Sequence, residues 1–568
     1  MAYPLRRSVS PPRLRIPSIA LASVLAVSLA ACSGATSSPS ATSGATSAPL
    51  TAASATAAAA GTSAASVPAS GGAAAAQFQN YIACVDDITG NLDPAQASDQ
   101  PAFQFMRAAY ETLVNYDPVK AQVVGALADS WQASPDATTY TFHLRANVTF
   151  HDGSPLTADG VKASLARTIA IGKGESNLID NIASIDVVDP STIRITLKAP
   201  SAELLFNLTR IFIVSGKAIQ DHASSSDSNA TQWFAQNEDG SGPYALTTWT
   251  PSQDMVLNHF AGYWQGWSGP HIGQYTLQVV PQEATQRLMI QRASCDSVNA
   301  ITPDDAAALK SNSSVTVSAD PGSPMYITFN PAGPLKDIRV RQAVAEAMDY
   351  DAVDNQIMKG FATRLAGPAT PGLWAYDTSL TPTPYNLADA KQLMAAAGYG
   401  PSHPLTLQLQ FFNLWAFEAD ISALLQNSLS QIGVTLKVQG MPWATFSARA
   451  SNSSTRPDMG VLATYVPTPS PGPVITSTFD PASDGGWAYW GYNNPQATAL
   501  LHKAETDPVD TSRATEYQQL QQMLAQDYAA MWLMEQPDIF VFQKNVQGYV
   551  HDTAWGIILN YYGIYKGA

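Results

Sequence analysis

From Ile421 to Val438 the chain reads ISALLQNSLSQIGVTLKV, and this stretch constrains the possible folds more than any other. Ile421, Leu424, Leu425, Leu429 and Ile432 recur at helical spacing, which predicts a helix with one apolar face. Gly433 is a stop signal, and TLKV after it alternates as a strand does. Val340, Ala343, Val344, Ala347 and Met348 form a second helical stripe of the same kind. A chain in which helix, glycine stop and alternating strand recur is expected to build α/β lobes with partly parallel sheets. At 568 residues it is too long for one hydrophobic core, so two or more domains are expected.

The first 76 residues stand apart from that pattern. Arg6, Arg7, Arg13 and Arg15 precede an apolar run, IPSIALASVLAVSLAA, at 16–31, which is short and weak for a membrane span. Leu29-Ala30-Ala31-Cys32 closes it, with small residues suited to a signal peptidase. Cys32 at the first mature position resembles the bacterial lipobox, in which the thiol carries lipid; residues 1–31 are then a signal peptide. Residues 32–76 after the cut are almost entirely Ala, Ser, Thr, Gly and Pro, too poor in apolar surface to offset ordering entropy. The expectation is an exported domain tethered by lipid to the outer face of a bacterial cell membrane, periplasmic or at the cell surface.

A formal charge of −15, with no run of Lys or Arg beyond the N-terminus, argues against nucleic acid as a partner. With Cys32 set aside, Cys84 and Cys295 remain, an even number in an exported chain. They read as a disulfide or as two buried thiols. No CxxC and no Cys/His cluster is present, so no metal site and no cofactor is expected. Nor is there a G-x-S-x-G elbow, an HExxH or a sequence signature of paired glycosidase acids, so the chain is not read as an enzyme.

A series of short segments carries a family resemblance. NLDPA at 91–95, AYETLVNYDP at 109–118, TYTFHLR at 139–145 and VTFHDGSPLTADGVKASLAR at 148–167 come first. GSGPYALTTW at 240–249, GYW at 262–264, DIRVRQAVAEAMDYDAV at 337–353, DAKQLMAAAGYG at 389–400 and LLQNSLSQIGVTLKV at 424–438 follow in order. Together they resemble family 5 solute-binding proteins, the dipeptide- and oligopeptide-binding components of ABC importers. The resemblance implies a periplasmic-binding-protein-like α/β clamshell of two discontinuous lobes with an additional family-specific domain. Lobe I is expected at 77–110, 241–322 and 541–568, the extra domain at 111–240 and lobe II at 323–540. It also implies ABC permease and ATPase subunits as partners and a monomeric protein, with a sensor or adhesion protein on the same fold, or an exported hydrolase, as alternatives.

Residue by residue, the resemblance places Cys84 and Cys295 both in lobe I, as a pair found in a dipeptide-binding relative. Such a bridge is worth about 5 kcal/mol in the chain-entropy model for a loop of about two hundred residues. Ser98, Asp99 and Gln100 are similar in spacing to a segment that hydrogen-bonds peptide backbone, Tyr326 stands where the chain re-enters lobe II, and Trp443 resembles a pocket-wall position. Trp487, Tyr489 and Trp490 lie in WAYWGY, where relatives carry a polar sequence, and aromatic faces here favour a flat or bulky apolar ligand.

YVPTPSPGP, at 465–473, completes the candidate site. In relatives that bind free-amine peptides, this region carries an Asp that pairs with the ligand's α-ammonium. Here Thr464 and Tyr465 occupy it, and no acid occurs from Leu462 through Phe479. A buried ammonium without a counter-charge is costly. The expected ligand is a peptide-like or other oligomeric solute held between the two lobes, and the missing acid raises the alternative of an oligosaccharide or a modified peptide instead of a free-amine peptide, unless Asp458 or Asp99 stands in for it.

Overall fold

The computed structural model describes residues 77–567 apart from 98, 414, 465, 467 and 553. Cys32, with the signal and tether expected at 1–76, lies outside the described residues, as do Ser98 and Tyr465. Among the described residues no helix is long and apolar enough to cross a membrane.

Two large sheets organise the chain. The first has seven strands, in the order Tyr244–Thr250, Asp254–His259, Pro270–Val279, Gln77–Val85, Ser297–Val298, Asp538–Gln543 and Val315–Asp320. Gln77–Val85 runs parallel to both of its neighbours. Its side chains alternate between faces as the strand period requires. Tyr81 and Ala83 enter the core beneath helix Gln100–Ala109, while Cys84 enters the opposite one. There Cys84 is bonded to Cys295, with Cα atoms 5.8 Å apart across a sequence separation of 211.

The second sheet has six strands, ordered Thr363–Arg364, Ala530–Glu535, Pro324–Phe329, Met459–Ala463, Leu405–Phe412 and Val434–Met441. Helix Ala416–Gln431 is the crossover between the parallel strands Leu405–Phe412 and Val434–Met441. Its buried face holds Ile421, Leu425 and Leu429, and Gly433, at φ 81, makes the left-handed turn into the strand. A four-stranded antiparallel sheet, in the order Ala128–Ala133, Thr139–Leu144, Thr192–Leu197 and Ile182–Asp189, forms the extra domain with helix Ala158–Ile171. Thr157 caps that helix by accepting from the Gly160 N–H at 3.1 Å, which satisfies one of the orphan donors of its first turn.

The protein is thus an α/β clamshell of two lobes with a third domain. The chain enters the six-stranded sheet between Asp320 and Pro324 and leaves it between Glu535 and Asp538. These adjacent crossings form the hinge, since Asp320 pairs with Asp538 and Pro324 with Glu535.

Candidate functional site

Strand register shows which edges of the sheets face each other. Met325 pairs with Ala463, so Met459–Ala463 ends at the edge where the hinge strands cross. Leu405–Phe412 and Val434–Met441 run parallel to it and end there too. In the seven-stranded sheet, Val298 pairs with Val541, so the parallel strands ending at Val85, Val279 and Val298 also point toward the hinge. Open α/β sheets bind ligands outside the carboxyl ends of their strands, and here two such edges meet at one hinge.

The lobe II edge carries a ladder of aromatic rings. Phe417 stacks on Trp415 at 5.8 Å between centroids, and Trp415 meets Phe412 at 5.9 Å. Phe412 then meets Trp443 at 5.1 Å, and Trp443 meets Trp487 edge-on at 4.9 Å. The positions follow from the chain: Phe412 ends one strand, Trp415 precedes the crossover helix, and Trp443 opens helix Trp443–Ala450. Trp443 is 44% exposed, and the other four rings are half-buried. Phe446 and Trp490 support the ladder from below. The Trp490 ring packs against Gly460, where any side chain would collide with it.

Of the residues expected at the site, Trp443 and Trp487 come together in this ladder. Tyr489 and Trp490 are buried, with the Tyr489 hydroxyl donating to the Tyr492 carbonyl at 2.7 Å. Tyr326 is also buried: its hydroxyl donates to the Pro368 carbonyl, and its ring packs edge-on against Trp532 at 5.2 Å. Asp99 is the N-cap of helix Gln100–Ala109, accepting from the Ala102 N–H at 2.9 Å, and Gln100 is exposed at the first helical position. Phe412, Trp415 and Phe417 were not anticipated. The signal for them was the end of the alternating run LTLQLQFF, immediately before a helix.

The described residues of the proline segment are packed rather than exposed. Thr468 and Ser470 are fully buried, Pro469 accepts from the Trp374 N–H at 2.9 Å, and Gly472 begins helix Gly472–Phe479. Thr464 is buried beside the hinge, its backbone N–H donating to the Pro324 carbonyl at 3.0 Å.

Of the acids on these strands, Asp458 and Glu535 bring little charge to this edge. Asp458 lies at the far end of its strand, where it accepts from the Gln408 N–H at 2.8 Å. Glu535 is buried one strand from Thr464. Burial, opposed by a hydrogen bond from Thr363 and reinforced by the Asp538 charge, pushes Glu535 up to about 8. At neutral pH it is therefore mostly a neutral acid. Burial also holds Asp538 well above the usual carboxylate range, with the Asp320 charge adding to it. Among the described residues no three His, Cys, Asp or Glu side chains converge in metal-binding geometry.

Two lobes joined by paired crossing strands, with strand ends converging at the hinge, define the class of clamshell solute-binding proteins. Residues 122–486 match the family model for bacterial extracellular solute-binding proteins, family 5 (middle), and the chain belongs to that family. It is 28% identical over 487 residues to the probable D,D-dipeptide-binding periplasmic protein DdpA of Escherichia coli K12, covering 83% of this chain and 91% of that one. Identity to the glutathione-binding protein GsiB of Salmonella typhimurium is 28% over 474 residues, or 81% of this chain and 89% of the relative. Among solved structures, HbpA2 of Haemophilus parasuis superposes with a TM-score of 0.77 at 23% identity, over 86% of this chain and all 100% of that one. The Helicobacter pylori periplasmic binding protein DppA, in complex with the peptide STSA, gives 0.71 at 22% identity, over 87% and 99%.

Proposed function

We propose that the protein is the extracytoplasmic, lipid-anchored binding component of an ABC importer, which encloses a peptide-like or other oligomeric solute between its lobes and delivers it to a permease and ATPase pair. Lobe I is assigned to 77–110, 241–322 and 541–568, the extra domain to 111–240 and lobe II to 323–540, with the second crossing falling between Glu535 and Asp538, slightly ahead of the assigned bound. Lipid attachment at Cys32 is supported by the Leu29-Ala30-Ala31-Cys32 sequence. A peptide-like solute is favoured by the binding named for DdpA and GsiB. No catalytic step is assigned.

The observation that carries the ligand reading is the aromatic ladder at the lobe II strand ends, beside Thr464. Aromatic faces hold flat or apolar groups, while Thr464 gives an α-ammonium no counter-charge and Glu535 is neutral. A solute with a blocked or absent amine and a flat apolar portion fits best, a modified peptide or an oligosaccharide. Thermal-shift screening of the full-length protein tests this with free-amine tripeptides, their N-acetylated forms and oligosaccharides. A solute that binds only the native state stabilises it by about 2.7 kcal/mol at a hundredfold excess over Kd. Blocked peptides or oligosaccharides are expected to raise the midpoint most; a larger shift with free-amine peptides would overturn the ligand reading.

A further inference from the structure

Only the two hinge crossings join residues 324–535 covalently to the rest of the protein. Contacts between that lobe and the extra domain are therefore non-covalent contacts that a hinge motion can break. One set is buried and mixes charge with aromatic packing. Glu203 immediately precedes the short helix Leu204–Leu208 of the extra domain, and its side chain makes no capping hydrogen bond to it. Its Oε1 faces Arg513 Nη1 of lobe II at 3.5 Å and accepts from the Tyr517 hydroxyl at 3.2 Å. The Arg513 guanidinium also donates to Asp510 at 2.7 Å and lies 4.5 Å over the ring of Trp374. Trp374 in turn packs against Phe206 of the extra domain at 5.5 Å, and the Ala202 N–H donates to the Glu505 carbonyl at 3.2 Å.

The Glu203 and Arg513 side chains are only 9% and 4% exposed. Elsewhere, Lys359 reaches Asp304 of lobe I at 3.1 Å, but Asp304 is 75% exposed. An exposed pair of that kind contributes little. The buried set is different: removing Arg513 leaves Glu203 inside the closed interface with no cation, and removing Glu203 takes from Arg513 its buried partner and leaves it only Asp510, which is 76% exposed. In the open form the same partner is hydrated. The loss therefore falls on the closed state alone.

We propose that Glu203 and Arg513 form a latch between the extra domain and lobe II, a positioning pair that keeps a closed population without solute and sets solute affinity without touching solute. The affinity role rests on the solute-binding reading above. A solute that binds the closed form has an apparent affinity reduced in proportion to the fraction of molecules that are closed. Neutralising one member alone lowers that fraction. Replacing both with apolar side chains of similar size restores it, since such replacements of buried ion pairs are neutral or stabilising.

The test measures the distance between lobes in the full-length protein without solute. Spin labels on cysteines introduced at the exposed positions Ser184 and Ala499 span the extra domain and lobe II. The native Cys84 and Cys295 are bonded to each other and do not compete for label, and Cys32→Ser is carried in every labelled protein so that it cannot compete either. The unmodified pair is expected to show a short-distance population that Glu203→Ala depletes and that the double change Glu203→Leu with Arg513→Met restores. Glu203→Gln serves as a second single variant should Glu203→Ala fail to fold by circular dichroism. Absence of a short population in the parent, an unchanged distribution in a folded single variant, or a double variant as open as the single one would each overturn the latch. Because no solute enters the measurement, its failure is separate from failure of the transport reading.

Discussion

Arg167 grips Asp93 with both arms of its guanidinium, Nη1 to Oδ1 at 2.8 Å and Nη2 to Oδ2 at 2.6 Å, with both side chains almost wholly removed from water. Asp93 comes from NLDPA in the segment assigned to lobe I, and Arg167 from the second half of the amphipathic helix in the extra domain. The same carboxylate accepts from the Ala95 N–H and the Gln96 amide, and Phe234 lies under the guanidinium at 4.4 Å. Every charged oxygen thus has a donor, the condition under which a buried pair is tolerated. Asp93→Ala is expected to cost about 3–5 kcal/mol in urea denaturation because Arg167 is left buried and unpaired. A loss below about 1 kcal/mol, the range of an exposed pair, would show that the pair is open to water.

The Cys84–Cys295 bond closes a loop across lobe I with a sequence separation of 211. Chain entropy assigns such a bond about 5 kcal/mol, mainly by restricting the unfolded chain. Denaturation with and without reductant should show a loss of that order. The double change Cys84→Ala with Cys295→Ala should reproduce it and remove the effect of reductant.

The two tryptophans of the site should separate stability from binding. Trp490 is buried over Gly460, so Trp490→Ala is expected to cost about 3–5 kcal/mol of stability, as large-to-small core changes do. Trp443 is 44% exposed and keeps mainly its contacts to Phe412, Phe446 and Trp487. Trp443→Ala loses three half-exposed ring contacts, each worth at most about 0.5–1.5 kcal/mol, and should cost less stability than Trp490→Ala. Calorimetry with the solute giving the largest thermal shift should show a marked loss of affinity in Trp443→Ala. Unchanged affinity would remove the ladder from the site.

That contrast marks how far the sequence could be read. The helix at Ala416–Gln431, its glycine stop and the strand after it follow from spacing alone, because burial imposes the helical period and backbone sterics impose the glycine. The family resemblance pointed to the clamshell and to the partnership of Cys84 with Cys295. The orientation of WAYWGY was not legible, since the segment is neither helix nor strand and no period says which ring points inward. Trp490 is buried because Gly460, on a neighbouring strand, leaves room for its ring, a contact that local pattern does not encode. Asp93 and Arg167, separated by 74 positions, were visible as motif residues but not as a pair.

Glu535 yields a prediction in pH. Its carboxyl is buried in the hinge-side edge of lobe II and pushed up to about 8, from an ordinary value of 4.5. A raised carboxyl keeps its proton in the folded state while the unfolded chain releases it. Between about pH 4.5 and 8 the native state therefore binds more protons than the unfolded one, and stability falls as pH rises. The slope contributed by this one group is at most about 1.4 kcal/mol per pH unit. Below that window both states are protonated, above it both are ionised, and the contribution is flat. Glu535→Gln cannot ionise, so it should lose this slope and gain stability over the parent progressively from pH 5 to pH 8. Urea denaturation of both proteins across that range measures the difference directly, with slopes common to other groups cancelling. Parallel stability curves would mean that Glu535 is ionised in the fold, and would reopen the hinge edge to a cationic group on the solute.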